Sequence, residues 1–175
     1  MQRIILIYGA GAGLAVILSV ILGVLLSGGE DAPRLQEWLG YLVMLIALSL
    51  VFVGIRRYRD EHLGGVIRFG TAILVGLGIA AVAGVIYVVV WEIYLAMTDY
   101  AFINEYTRAV IAEQQAQGVT GTELQAVSEQ MQTLKAQYAN PLFRLPMTFL
   151  EIFPVGALIA LISAAILRGR TSAKI

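Results

Sequence analysis

Four long apolar runs separate the polar segments of this chain. Three of them, at residues 4–29, 38–55 and 69–91, contain no charged residue, and the fourth, at residues 145–167, contains only Glu151. A transmembrane helix needs about 20 mostly apolar residues to cross a hydrocarbon core of about 30 Å. The pattern therefore predicts four transmembrane helices, at about residues 4–27, 38–56, 69–96 and 146–167.

A secretory signal peptide is the alternative interpretation of the first run, because Arg3 gives it a short positive start. The apolar core of a signal peptide is only about 7–15 residues long and precedes a small-residue cleavage site. The first run is longer, and residues 27–29 match such a site poorly. We therefore expect a helix that is retained.

The polar segment between the third and fourth runs, at about residues 98–140, has a helical pattern of its own. Its second half repeats apolar residues at 3-4 spacing, which places them on one stripe of a helix: Leu124, Val127, Met131, Leu134 and Tyr138. Thr120 and Glu123 fit a capping box at the start of this helix, and Asn140-Pro141 ends it.

A second helix precedes this one, since Ile103, Tyr106 and Val110 share helical spacing. Gly118 and Gly121 allow the chain to reverse between the two helices. We therefore expect an extramembrane helical hairpin whose apolar stripes face each other. The stripe either only holds the hairpin together or also packs against a partner protein or a second copy, because two helices alone bury little apolar surface.

The composition agrees with an all-α integral membrane protein, a four-helix transmembrane bundle with the hairpin between its third and fourth helices. Hydrophobic residues make up 59% of the chain, and the mean hydropathy is +0.81. We expect a single membrane domain over residues 1–175. The zero net charge removes any general attraction to nucleic acid, and with no cysteine and one histidine we expect neither a metal site nor a cofactor.

Basic residues near the ends of transmembrane helices favour the cytoplasmic side of the membrane. If the four helices alternate, most of the 12 basic residues share one side, and these are Arg3, Arg56, Arg57, Arg59, Arg68, Arg168, Arg170 and Lys174. Most acidic residues, including Glu30 and Asp31, fall on the other side. Both termini are therefore predicted to lie in the cytoplasm.

Small residues at one-turn spacing predict where transmembrane helices pack closely, because lipid provides no hydrophobic force between them. They are Gly9 and Gly13 in the first helix, Gly76, Ala80 and Gly84 in the third, and Gly156, Ala160 and Ala164 in the fourth. We expect these residues to hold the bundle together rather than to drive dimerisation.

Two carboxylates, Glu92 and Glu151, lie in or near the spans, where acids are costly and are candidates for function. Arg144 precedes Glu151 by two helical turns on nearly the same face, which suggests a partial ion pair or a shared water network. Alternatively, Glu92 and Glu151 line one outward-facing cavity that binds a proton, a cation or a cationic solute. Pro154 would free backbone carbonyls toward such a cavity.

The densest charge cluster follows the second helix, where Arg56, Arg57 and Arg59 precede a short acidic and histidine run at residues 60–62. We interpret the arginines as a topology determinant that rests on anionic headgroups. Adjacent side chains on a helix point in different directions, so residues 60–62 do not converge on a metal ion.

Several short motifs resemble those of the family catalogued as domain of unknown function 4199. They are Tyr58-Arg59-Asp60 after the second helix, Gly64-Gly65 and Phe69-Gly70 before the third, Gly76 and the tyrosine-rich exit of the third helix at residues 87–94, and Gly156 and Ser163 in the fourth. The resemblance implies four spans in the inner membrane of a Gram-negative bacterium. It implies no activity, cofactor or functional residue.

The sequence contains no nucleophile–base pair, metal-ligand spacing or nucleotide motif. We therefore expect a non-catalytic inner-membrane protein that acts through its outer hairpin and assembles with itself or with a membrane or periplasmic partner. The alternative is a small transporter or channel component that uses Glu92 and Glu151.

Overall fold

A computed structural model describes residues 1–26 and 33–169, and within these residues the chain is helical without strands. The helices are α1 (Gln2–Leu26), α2 (Pro33–Leu48), α3 (Leu50–His62), α4 (Phe69–Met97), α5 (Ala101–Ala116), α6 (Gly121–Tyr138) and α7 (Pro141–Leu167). Four stretches are long and apolar enough to cross a membrane: Gln2–Val24, Gly40–His62, Phe69–Met97 and Pro141–Leu167. The predicted fold class is confirmed. Glu30, Asp31, Arg170 and Lys174 lie outside the described residues.

Two spans extend beyond their predicted bounds. The second continues to His62, because charged residues one turn apart pair along the helix: Arg56 with Asp60 and Arg57 with Glu61. The fourth begins at Pro141 instead of about residue 146. There the Asn140 Oδ1 accepts a hydrogen bond from the Leu142 N–H at 3.0 Å, so the predicted stop of one helix also caps the next.

The second span is built from two helices that meet at Ser49. Its hydroxyl donates a hydrogen bond to the Ile46 carbonyl at 2.6 Å, a local bond that competes with the helical pattern. The backbone around it stays helical, since the Ser49 N–H donates to the Leu45 carbonyl and the Val53 N–H donates to the Ser49 carbonyl. The span is therefore continuous with one local irregularity.

Contacts divide the chain into two compact units, which we describe separately. The membrane unit comprises residues 1–90 and 149–175, and the hairpin unit comprises residues 91–148. The core of the membrane unit is contributed mainly by α3, α4 and α7, and its buried members are Val51, Ile55, Ile67, Ala72, Val75, Ile79, Ala160, Ala164 and Leu167.

The small residues of the membrane unit lie at its closest helix contacts, as predicted. A Cβ added at Gly13 would lie 2.5 Å from the Ala83 carbonyl oxygen, and one added at Gly9 would lie 2.6 Å from the Val82 Cβ. Positions later in α1 thus meet positions later in α4, so these two helices run parallel.

The contact between α4 and α7 has the opposite sense. A Cβ added at Gly76 would lie 2.6 Å from the Ala160 Cβ, and one added at Gly156 would lie 2.8 Å from the Ala80 Cβ. Increasing numbers in α4 therefore meet decreasing numbers in α7. The start of α1 and the end of α7 lie at the same end of the membrane unit.

Most of the surface of the spans faces outward and is apolar. In the most apolar part of each span, between 28% and 39% of the residues are buried. Large apolar side chains such as Leu18, Ile46, Leu74 and Leu158 are exposed. Such a surface is suited to a hydrocarbon solvent, in which helices satisfy their own backbone hydrogen bonds.

The predicted helical hairpin of α5 and α6 is confirmed. Its reversal uses Gly118 and Gly121, whose φ angles of 85° and 63° are readily adopted by glycine. Thr120 is the N-cap of α6, as predicted, but its side chain makes no capping hydrogen bond, so the predicted capping box is wrong. At Thr120 the backbone is extended, and the neighbouring glycine rather than the hydroxyl sets the start of α6.

Candidate functional site

Arg144 is the centre of a buried polar cluster in the hairpin unit. The residue lies in the first turn of α7 and is 3% exposed. Its Nε and Nη2 donate hydrogen bonds to the two carboxylate oxygens of Glu92, at 2.6 and 2.7 Å. This is a bidentate salt bridge, in which the planar guanidinium matches both oxygens of the carboxylate.

The third nitrogen of Arg144 connects it to α6. Nη1 donates to the backbone carbonyl of Tyr138 at 2.8 Å, a group at the helix end that lacks a donor within the helix. The guanidinium carbon also lies 5.0 Å from the ring centroid of Tyr100 and 5.7 Å from that of Tyr138. Both distances are within the range of cation–π attraction. One side chain of α7 therefore contacts α4, the turn after it, and the end of α6.

Trp91 extends the cluster from the other side of Tyr138. The indole Nε1 donates to the Tyr138 hydroxyl at 2.9 Å, and both side chains are buried. Trp91 also stacks on Tyr94 and meets Phe102 edge to face, with ring centroids 5.3 and 4.9 Å apart. Trp91 and Tyr138 thus form part of the core of the hairpin unit.

The turn between α4 and α5 places Tyr100 against Arg144 through an unusual backbone. Asp99 and Tyr100 have φ angles of 49° and 55°, in a left-handed region that costs side-chain-bearing residues about 1 kcal/mol each. The Tyr100 N–H donates to the Leu95 carbonyl at 2.8 Å and closes the end of α4. No glycine marks this turn in the sequence, and Tyr100 was not identified from it.

Glu151 has different surroundings from Glu92. It belongs to the membrane unit, where its Oε2 accepts a hydrogen bond from the Tyr87 hydroxyl at 3.1 Å. Tyr87 is buried, whereas Glu151 is exposed. The sequence interpretation paired Arg144 with Glu151, but the guanidinium binds Glu92. Arg144 and Glu151 each use a partner on α4, Glu92 for the first and Tyr87 for the second.

The apolar stripe of α6 is turned largely toward the inside of the hairpin. Leu124, Val127, Met131 and Leu134 are half-buried and Tyr138 is buried, and α6 contacts α5. The interpretation that the stripe holds the hairpin together is therefore supported by burial. Its second role, in binding a partner, stays a prediction.

A shallow, wide-open depression of about 400 Å³, which we call the groove, lies beside this stripe. It is lined by Ala126, Glu129, Gln130, Thr133, Leu134 and Gln137, which recur at helical spacing on one face of α6. All but Leu134 are exposed. The glutamine-rich composition was visible in the sequence, but the face that the glutamines share was not identified from it.

The basic cluster of α3 is largely occupied by partners within the membrane unit. Arg57 donates to Glu61 at 2.7 Å and to the Tyr8 hydroxyl at 3.2 Å, and Arg59 donates to Asp60 at 2.7 Å. Arg56 lies 3.7 Å from the same aspartate. Exposed pairs of this kind contribute little stability, but they reduce the free positive charge of the cluster.

The described residues contain no group of three or more histidine, aspartate or glutamate side chains placed to hold a metal ion. Every buried side-chain nitrogen and oxygen in this part of the chain has a hydrogen-bond partner. The Arg144 cluster is therefore a saturated network, in which donors and acceptors are matched to one another.

Comparison with known proteins identifies a family for this chain. A family model described as "Protein of unknown function (DUF4199)" matches residues 7–169. No curated protein and no solved structure matches the chain.

Proposed function

This chain belongs to the DUF4199 family of proteins of unknown function. We propose that the protein is a non-catalytic membrane protein that assembles with a partner protein or with itself through its helical hairpin. The surface that we assign to this contact is the groove face of α6. The proposal treats the hairpin as a platform whose shape is set before a partner binds.

The observation that carries the proposal is the anchoring of α6 by Arg144. A buried guanidinium holds the carbonyl of Tyr138, and the Tyr138 hydroxyl accepts a hydrogen bond from Trp91. The end of α6 is therefore fixed to both α7 and α4 in the hairpin unit. A surface that is already ordered loses less conformational entropy when it binds, which increases affinity.

The proposal that the protein is non-catalytic is supported by the hydrogen bonds of its buried charged groups. The most buried charged pair in the hairpin unit, Arg144 and Glu92, is engaged in a bidentate salt bridge. A carboxylate held in this way is a poor general base, because both oxygens already accept strong hydrogen bonds.

We propose a bacterial inner membrane as the location, with both termini in the cytoplasm and the hairpin on the periplasmic side. The parallel course of α1 and α4 supports this, because it collects the basic ends of the spans at one end of the membrane unit. These ends carry Arg3, Arg56, Arg57, Arg59, Arg68 and Arg168. Basic residues beside spans favour the cytoplasmic side.

Site-specific photo-crosslinking in native membranes tests the assembly function. A photoreactive residue at Gln130 or Gln137 samples the groove, and one at Gln115, an exposed glutamine of α5, is the matched control. We expect discrete crosslinked products from Gln130 and Gln137 only, with their composition read by mass spectrometry. Equal products from all three positions, or none from the groove while the variants stay folded, would contradict the proposal.

One observation favours the alternative, a transporter or channel component. Glu151 is exposed within a span, and its carboxylate accepts a hydrogen bond from the neutral hydroxyl of Tyr87. Acids in spans mark ion or proton pathways. In reconstituted vesicles this function requires a pH-dependent flux that Glu151→Gln abolishes and Glu129→Gln, on the exposed hairpin, leaves unchanged. The absence of any flux in the wild-type protein would exclude the transporter or channel function.

A further inference from the structure

We propose that Arg68 and Arg168 form a binding site for the phosphate of an anionic phospholipid at the end of the membrane unit where α4 starts and α7 finishes. The two residues are 100 positions apart in the chain. The Phe69 ring centroid lies 5.8 Å from the Arg168 guanidinium carbon. Arg68 is the residue before Phe69, so the backbone that carries Arg68 lies beside Arg168. This site does not depend on the function proposed for the hairpin.

The contact between α7 and the loop before α4 fixes the position of Arg168. A Cβ added at Gly169 would lie 3.8 Å from the Gly65 carbonyl oxygen and 4.0 Å from the Val66 Cα. Ile67 and Leu167, the neighbours of the two arginines, are both buried in the same core cluster. The backbone on each side of the site is therefore held by packing, while Arg68 and Arg168 are exposed.

Arg68 and Arg168 both carry uncompensated positive charge. Within the part of the chain that the structure describes, the ion pairs of the membrane unit use Arg56, Arg57 and Arg59. Neither Arg68 nor Arg168 has a carboxylate partner there. The cluster of Arg56, Arg57 and Arg59 is thus partly neutralised, whereas Arg68 and Arg168 keep their full charge.

The chemistry of the site favours a phosphate group. A guanidinium presents a planar fork that binds two phosphate oxygens, and it is weakly hydrated compared with an ammonium. The Phe69 ring lies beside the Arg168 guanidinium, which leaves its N–H edges for an anion. Backbone space next to the arginines is open, since a Cβ at Gly65 or Gly70 would meet nothing within 4 Å.

The position in the fold favours a lipid as the source of the phosphate. Arg68 immediately precedes the span Phe69–Met97, and Arg168 immediately follows the span Pro141–Leu167. Both therefore lie at the end of a span, where phospholipid headgroups begin. Basic residues at this level are attracted to anionic lipids.

Native mass spectrometry of the full chain from vesicles of phosphatidylcholine with phosphatidylglycerol tests the site. Each basic residue near an anionic surface contributes about five-fold to binding, so R68Q/R168Q should weaken retention of phosphatidylglycerol roughly 30-fold. The matched control is R108Q/K135Q, which removes two exposed charges from the hairpin, and we expect it to retain wild-type binding. Equal losses in both variants, or no loss in R68Q/R168Q, would overturn the proposal.

Two further experiments distinguish a bound phospholipid from attraction by charge alone and from free phosphate. The variant R68K/R168K keeps the positive charge and removes the planar guanidinium, so we expect an intermediate loss of phosphatidylglycerol retention. Wild-type retention in this variant would show that the lipid is attracted by charge alone and would overturn the proposed guanidinium site. Inorganic phosphate, compared with chloride at equal ionic strength, should not displace the lipid, and displacement would assign the site to free phosphate. Circular dichroism melting of each variant checks that these exposed substitutions leave the fold intact.

Discussion

Both carboxylate oxygens of Glu92 are bound by Arg144, at 2.6 and 2.7 Å, across 52 positions of sequence. The pair connects the end of α4 to the start of α7, and the arginine side chain is 4% exposed. Such a pair is costly to break from one side, because the remaining charge is left buried without a partner.

Arg144→Gln should therefore lower the free energy of unfolding by about 3–5 kcal/mol. The measurement is chemical unfolding in detergent micelles, followed by circular dichroism. Arg108→Gln is the control, since Arg108 is exposed on α5, and a surface change of this kind has an effect within about 0.5 kcal/mol. An Arg144→Gln variant as stable as the control would show that the cluster does not hold the hairpin unit together.

Tyr138→Phe should lower stability by about 1–3 kcal/mol, because it leaves the buried indole N–H of Trp91 without its acceptor. The Arg144 bond is kept in this variant, since it involves the backbone carbonyl of Tyr138. Thermal unfolding measures the effect, with Tyr106→Phe as the matched change at a tyrosine that is 46% exposed. Equal melting temperatures for the two variants would contradict the prediction.

Gly76→Ala should destabilise the membrane unit, whereas Gly70→Ala should leave it unchanged or slightly more stable. The added Cβ would lie 2.6 Å from the Ala160 Cβ at Gly76 and would meet nothing within 4 Å at Gly70. Overpacking costs about 1–3 kcal/mol, and replacing glycine in a helix gains up to about 1 kcal/mol. The two variants are compared by thermal unfolding in the same detergent, and the prediction is wrong if Gly76→Ala is the more stable.

A hydrophobic carbodiimide, which reacts from the lipid phase with protonated carboxyl groups, should modify Glu151 and spare Glu92. Glu151 is exposed on α7, while both oxygens of Glu92 are bound by the Arg144 guanidinium and are not free to react. Peptide mass spectrometry after labelling reads both sites in one sample. Modification of Glu92 at the same rate would mean that its salt bridge opens readily.

Single-cysteine labelling tests the proposed topology on a chain that contains no cysteine of its own. Gln130→Cys in α6 should react with a membrane-impermeant maleimide on intact spheroplasts, and His62→Cys at the end of α3 should react only after the membrane is opened. Both positions are exposed. The reverse pattern would invert the orientation, and equal labelling of both would show that the chain does not hold one orientation.

The spans were predictable because length and the absence of charge are local properties of the sequence. The hairpin was predictable for the same reason, since the stripe from Leu124 to Tyr138 repeats within one helix. The partner of Arg144 was not, because helical spacing suggested Glu151 whereas the contact depends on the register of α7 against α4. The turn at Asp99 and Tyr100 was also missed, because no glycine marks it and a tyrosine rarely adopts a positive φ.

The parallel contact between α1 and α4 has a consequence for the order in which this protein is made. Gly13 meets Ala83, so the glycine face of α1 meets its partner helix only after about 70 further residues have left the ribosome. Until then its bare glycine face lies against lipid or against the translocation machinery. α1 also contacts α2 and α3, so these helices can pack together first, and its glycine face stays open until α4 is inserted. A nascent chain that stalls before α4 would present that face to the quality-control proteases.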